Sequence, residues 1–313
     1  MIKPRKKYRR RFLVVGRKPI EEYSVVITSG GNGSVTVDGV AGDYIATVPE
    51  GTVLTVSATA DAHYGFTAWS DGETDNPRTI TVTGDLNLTA SFAIDTYIVN
   101  VIAGANGSVS VNGTVGNYSQ LVAYGTQLEI AATPAMGYDF TAWSDGVSST
   151  TRTVTVTGDV TLSAAFAIQT FTVSISAGAN GSVSVNGTPG DYLQTVNYGT
   201  ALVLEATPST GYDFTMWSDG DGNSQRIIAV TGDVTLSAAF AIQTFSVSVT
   251  AGQNGSVSVN GVSGNYSQTV SYGTVLTVEA TGNTGYSFTQ WSDGSSANPR
   301  TVTVTSDLSL TSA

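Results

Sequence analysis

Residues 171–187 read Phe171-Thr172-Val173-Ser174-Ile175-Ser176-Ala177-Gly178-Ala179-Asn180-Gly181-Ser182-Val183-Ser184-Val185-Asn186-Gly187. Phe171, Val173 and Ile175 alternate with Thr172, Ser174 and Ser176, the period of a strand with one face buried. Asn180-Gly181 reads as a tight hairpin turn, because both residues tolerate positive φ, and Asn186-Gly187 reads as a second one. Working outward, Tyr198-Gly199-Thr200 leads into Leu202, Leu204 and Ala206. Next comes Gly211-Tyr212-Asp213-Phe214-Thr215-Met216-Trp217-Ser218-Asp219-Gly220, and two last strands flank Thr231-Gly232-Asp233. Nowhere does a 3.6-residue apolar period persist over ten residues, so the sequence predicts an all-β chain.

This stretch recurs. Trp69, Trp143, Trp217 and Trp291 are each 74 residues apart, as are Arg78, Arg152, Arg226 and Arg300. The repeat starts Tyr23, Tyr97, Phe171 and Phe245 keep the same interval. A fixed period of this kind marks tandem structural units. The expected domains are 23–96, 97–170, 171–244 and 245–313, preceded by a basic arm over 1–22. The junctions, such as Phe166-Ala167-Ile168-Gln169-Thr170 running into Phe171, lack the Gly, Ser or Pro of a flexible linker. Compact units ~30 Å across then predict a semi-rigid rod of ~120 Å or more. In the fourth copy Asp307 to Ala313 matches Asp85 to Ser91 and the partner of Phe92-Ala93-Ile94 is missing, so its last strand is expected to be incomplete and the natural chain to continue.

Charge is segregated. Residues 1–22 hold nine of the 13 cations (Lys3, Arg5, Lys6, Lys7, Arg9, Arg10, Arg11, Arg17 and Lys18), which against Glu21 and Glu22 leave +7. The remainder has four Arg against 22 acids, leaving −18. A basic arm that meets an acidic partner and an acidic body that stays soluble follow from this split. Phe12, Leu13, Val14 and Val15 complete the attachment arm, with apolar side chains for a docking surface. Four apolar residues are fewer than the ~7–15 of a secretion-signal core, and no run reaches the ~20 of a membrane span. There is no cysteine, so disulfides and thiol chemistry are excluded.

In copy 2 the recurrent pattern reads Gly107-Ser108-Val109, Tyr124-Gly125-Thr126, Ala132-Thr133-Pro134, Gly137-Tyr138-Asp139-Phe140, Trp143-Ser144-Asp145-Gly146, Val156-Thr157-Gly158-Asp159 and Ala165-Phe166. It resembles the divergent internalin-type B repeat, also described with the Listeria–Bacteroides repeats, over residues 23–313. The resemblance implies small β domains, often β-grasp-like, used as stalks or adhesive modules on bacterial surface proteins and in phage virion proteins. It carries no catalytic residues and no cofactor.

His63, the only histidine, stands where the other copies have Gly137, Gly211 and Gly285 and reads as a loop variant rather than a catalytic base. Asp219-Gly220-Asp221-Gly222-Asn223 opens like a calcium loop, but its twelfth position is Val230, so an acidic turn is the expectation. No Gly-rich stretch is followed by the Lys of a phosphate cradle. The recurrent Trp has two readings: a packing element, or an exposed platform for a sugar, because Trp143 falls on the strand parity opposite Tyr138 and Phe140. The recurrent Arg, nine residues on and across an expected hairpin, could stack on that Trp or pair with Asp71, Asp145, Asp219 or Asp293. The arm could dock on protein, bind nucleic acid with Tyr8 and Phe12 stacking, or remain unordered.

The expectation is a non-enzymatic structural or adhesive protein on the exterior of a bacteriophage particle, as a head fibre, decoration or tail-associated fibre. The arm would dock on other virion proteins, and the repeats would project outward toward host-surface or glycan ligands. A bacterial cell-surface adhesin or stalk is the alternative.

Overall fold

The computed structural model describes residue 16 and residues 18–313. The attachment-arm residues Lys3 to Val15 lie outside the described residues. In repeat 1 the strands are β1 (Glu22–Ser29), β2 (Gly33–Val37), β3 (Val40–Ala41), β4 (Tyr44–Pro49), β5 (Val53–Ala60), β6 (Tyr64–Trp69), β7 (Arg78–Thr81) and β8 (Leu86–Ile94). They form two four-stranded sheets, one ordered β4-β1-β8-β6 and the other β3-β2-β5-β7. The second is antiparallel throughout. The first is mixed: β1 and β8, the first and last strands of the repeat, lie side by side and parallel. Antiparallel β4 and β6 flank them.

The sequence alternation sets which face is buried. In β5, Leu54, Val56 and Ala58 point inward while Val53 and Thr55 face solvent. Val25, Ile27 and Leu88 from the mixed sheet meet Val35, Val37, Leu54 and Val56 from the antiparallel sheet in one core. Each repeat is therefore a two-layer sandwich. The central parallel pair is what a β-grasp sheet would also have. The face that a grasp helix would cover is covered here by the second sheet, and no helix occurs among the described residues.

By mutual contact the chain divides into two compact units, the first holding repeat 1 and most of repeat 2, the second holding repeats 3 and 4 with the turn Pro134–Asp139. Within the first, a single residue, Asp95, separates β8 from the first strand of repeat 2, Thr96–Ala103. Its N–H donates to the carbonyl of His63 at 2.8 Å, and its own carbonyl accepts from Tyr124 N at 2.9 Å. Within the second, Gln243 plays the same part between Val234–Ile242 and Thr244–Thr250, with Gly211 and Tyr272 as its partners.

Two of the hairpins expected from sequence are corrected. Asn186-Gly187 is a hairpin turn, with φ of 50° and 77°, and it pairs Val185 with Thr188. Asn180-Gly181 is not. Thr170–Ala177 belongs to the mixed sheet of its repeat and Gly181–Val185 to the antiparallel one, so these residues carry the chain from one layer to the other. Only Asn180 has positive φ, 71°. Gly181 is glycine because the Phe240 ring lies against it: an added Cβ would sit 2.3 Å from Cζ. The connection between Trp and Arg is likewise a crossover, from β6 in one sheet to β7 in the other.

In repeat 4 the mixed sheet has three strands, Tyr266–Ser271, Thr244–Thr250 and Leu308–Thr311. The counterpart of β6 is reduced to a single bridge between Trp291 and Ser312. Beside that bridge Thr289 N donates to Ala313 O and Ala313 N donates to Gln290 O, both at 2.8 Å.

Candidate functional site

The recurrent Trp, Asp and Arg converge at one edge of each sandwich, where β6 and β7 run along the margins of the two layers. Trp69, Trp143, Trp217 and Trp291 are 0–2% exposed. Strand parity alone would have turned them outward. A β-bulge reverses it: Phe66 pairs with Phe92, the register then skips Thr67, and Ala68 pairs with Ser91. Repeat 3 skips Thr215 in the same way. The skipped threonine compensates for the lost ladder bond, its hydroxyl donating to Ser91 O in repeat 1 (3.0 Å) and to Ala239 O in repeat 3 (3.0 Å). Each indole Nε1 then donates to a carbonyl six residues on, Asp75, Ser149, Asn223 or Ala297, at 2.9–3.1 Å. A fully enclosed indole has no free face on which a sugar could stack.

In repeats 1 and 4 the arginine lies over the ring. Arg78 lies 5.5 Å from the Trp69 ring centroid and Arg300 lies 5.8 Å from that of Trp291. Each guanidinium pairs with the aspartate two residues after its Trp: Asp71 at 2.5 Å, Asp145 at 2.6 Å, Asp219 at 2.8 Å and Asp293 at 2.5 Å. Arg226 also reaches Asp221 at 3.3 Å. The hydrogen bond from Arg is the main reason each of these carboxyls titrates below its ordinary value, and a backbone N–H two residues on assists it. The arrangement is a latch holding the two sheets together at their open edge. It also consumes the two carboxylates, Asp219 and Asp221, that resembled a calcium loop.

Most other recurrent polar residues serve the backbone as well. Asp85, Asp159, Asp233 and Asp307 each accept a bond at 2.8 Å from a backbone N–H of the first strand of their repeat. Asp38, Asn112, Asn186 and Asn260 accept from the neighbouring strand at 2.8–2.9 Å. Sequence reasoning did not assign either set. Their signal was present as an acid or amide at a fixed position of every copy, but what they bond could not be read without the sheet pairing.

His63 has φ of 65° and stacks flat on Tyr124 of repeat 2, ring centroids 3.5 Å apart and 8° from parallel. In the second unit, Tyr272 packs against Gly211 at the same position. His63 thus belongs to a junction between repeats, stacked on Tyr124 and accepting from Asp95 N at its carbonyl. On the outer face of repeat 2 a hollow of about 560 Å³ is lined by Ser110, Glu129, Ala131, Thr151, Arg152 and Thr153. It is open to solvent, and its lining mixes polar with apolar side chains.

Tandem all-β sandwiches, each closed by a buried Trp and an Asp–Arg pair beside it, define the class of protein to which this chain belongs. More narrowly, the chain belongs to the divergent InlB B-repeat domain family, whose model matches residues 23–96, 97–170, 171–244 and 245–313. None of the curated proteins matches it. Among solved structures, the Bacillus anthracis TIE protein is similar at 8% identity and a TM-score of 0.40, over 93% of this chain and 67% of that one.

Proposed function

We propose that the chain is a non-enzymatic structural protein of a bacteriophage particle, attached through residues 1–22 and presenting its four repeats outward. One observation carries this reading. The recurrent Trp, Asp and Arg, the residues most able to do chemistry, are spent on closing the sandwich, while nine of the 13 cations are gathered in the arm. A body at −18 is not drawn to an acidic surface, whereas an arm at +7 is. Phe12 to Val15 adds an apolar, β-branched stretch suited to strand addition on a partner sheet. The open hollow of repeat 2, where Glu129, Thr151 and Thr153 stand beside Ile130 and Ala131, suits a host-surface glycan.

The test is deletion of residues 1–18. The truncated protein should stay folded and soluble and no longer co-sediment with purified particles. Raising salt should weaken attachment of the full chain only in part, because apolar contacts persist under screening. Undiminished attachment of the truncated chain would refute the role of the arm. Recovery of the full chain with washed bacterial envelopes, not with particles, would identify a cell-surface stalk instead.

A further inference from the structure

In every repeat the first and last strands are hydrogen-bonded neighbours running parallel. In repeat 1 the register runs from Val25 opposite Leu86 to Ser29 opposite Ala90. Repeats 2 and 3 have the same five-pair ladder and repeat 4 has four pairs. This arrangement has a mechanical consequence. The chain enters a repeat at the start of β1 and leaves it at the end of β8, and in a parallel pair those points lie at opposite ends of the ladder. Tension along the chain therefore slides the two strands past each other. The evenly spaced bonds of a parallel pair share that load and must fail together, whereas strands pulled apart from one end lose their bonds one at a time.

Other features of the repeat reinforce the ladder. Val25, Ile27, Leu88 and Ala90 on the two strands are all 0% exposed, so sliding also drags core side chains out of register. The ladder is extended by one bond at each end. Before the first pair, Asp85 accepts from Ser24 N at 2.8 Å. After the last, Gly30 N donates to Ala90 O at 2.9 Å. That second bond explains a recurrent glycine whose φ is unexceptional: a Cβ on Gly30, Gly104 or Gly178 would stand 2.5–2.7 Å from the facing carbonyl oxygen.

We propose that each repeat is a shear-loaded clamp and that the four together bear tension applied along the chain. This deepens the reading of the repeats as a projecting body, but it concerns the repeats alone, so its test is independent of what the arm binds.

The test is single-molecule force spectroscopy of the full chain. Pulled from its two ends, it should give four unfolding peaks, three releasing ~250 Å for a 74-residue repeat and one ~235 Å for the 69 residues of repeat 4, at ~3.4 Å per residue. Three should be alike and one lower, from the shorter ladder of repeat 4. The chain has no cysteine, so a Thr170→Cys/Asn197→Cys variant can be held at those two points alone. Thr170 and Asn197 are an antiparallel pair at the edge of the sheet, so this geometry peels the strands and should yield at several-fold lower force. Asp233→Ala should weaken one peak of the end-pulled chain. Arg226→Ala, which opens the latch away from the ladder, should lower the melting temperature and leave the peak forces unchanged. Equal forces in the two pulling geometries would overturn the proposal. So would a peak force that falls with Arg226→Ala and not with Asp233→Ala. Loss of particle binding on deleting the arm, with the force curves intact, would leave both readings standing; retained binding would refute the attachment reading alone.

Discussion

Replacing Trp217 with alanine separates a packing role from a binding role. The side chain is 0% exposed, and its Nε1–H meets Asn223 O at 2.9 Å. A buried Trp removes roughly 200 Å² from water, which at ~25 cal/mol per Å² is about 5 kcal/mol. Measured Trp-to-Ala substitutions in cores cost about 3–5 kcal/mol. A domain of 74 residues has a total stability of about 4–11 kcal/mol at ~0.05–0.15 kcal/mol per residue. The substitution should therefore remove much or all of the stability of repeat 3. Trp217→Phe should cost less, about 1–3 kcal/mol, since it keeps most of the ring and strands the Asn223 carbonyl. Urea denaturation followed by circular dichroism, with the three remaining Trp as fluorescent reporters, should show one repeat's share of the signal lost early and the rest retained. An unshifted transition would refute the reasoning. Loss of a glycan ligand at unchanged stability would show that the ring is a contact surface after all.

Arg152→Ala should lower the stability of repeat 2 by about 0.5–2 kcal/mol and perturb Trp143 emission, because the ion pair with Asp145, two residues after that Trp, is lost; an unchanged melting curve and spectrum would count against it. Asp71, Asp145, Asp219 and Asp293 titrate below the ordinary value of 3.8 in the folded state. Their contribution is complete above that value and disappears as pH falls through the lowered one. Acid titration should thus destabilise the wild type below about pH 4 more steeply than Asp145→Asn, and parallel curves would exclude the latch as the cause. Tyr124→Ala should remove the ring-current shift of His63, the one histidine, and weaken coupling between repeats 1 and 2 by about 0.5–1.5 kcal/mol. A His63 spectrum identical to wild type would contradict the stack.

What the sequence by itself determined is local and periodic. The 74-residue interval, the alternation of Val173 with Ser174 and Ile175 with Ser176, and the absence of any helical period were enough for four all-β units, because strand burial depends on nothing more distant than the next residue's parity. The pairing of Arg78 with Asp71 was also within reach, as one of two readings, since the repeat bodies contain just four cations. The layer assignment was not legible. Asn180-Gly181 and Asn186-Gly187 are the same dipeptide, yet one turns a hairpin and the other crosses between sheets, and the difference is the Phe240 ring, 59 residues on, lying against Gly181. The inward turn of Trp69 was hidden for a similar reason. It depends on a bulge at Thr67, and a bulge exists only relative to the partner strand β8. The parallel pairing of β1 with β8 is the most distant of these, joining residues 61 apart. No local propensity encodes it; it arises because two sheets with one apolar face each must close on a common core, and that closure places the first strand of each repeat beside its last.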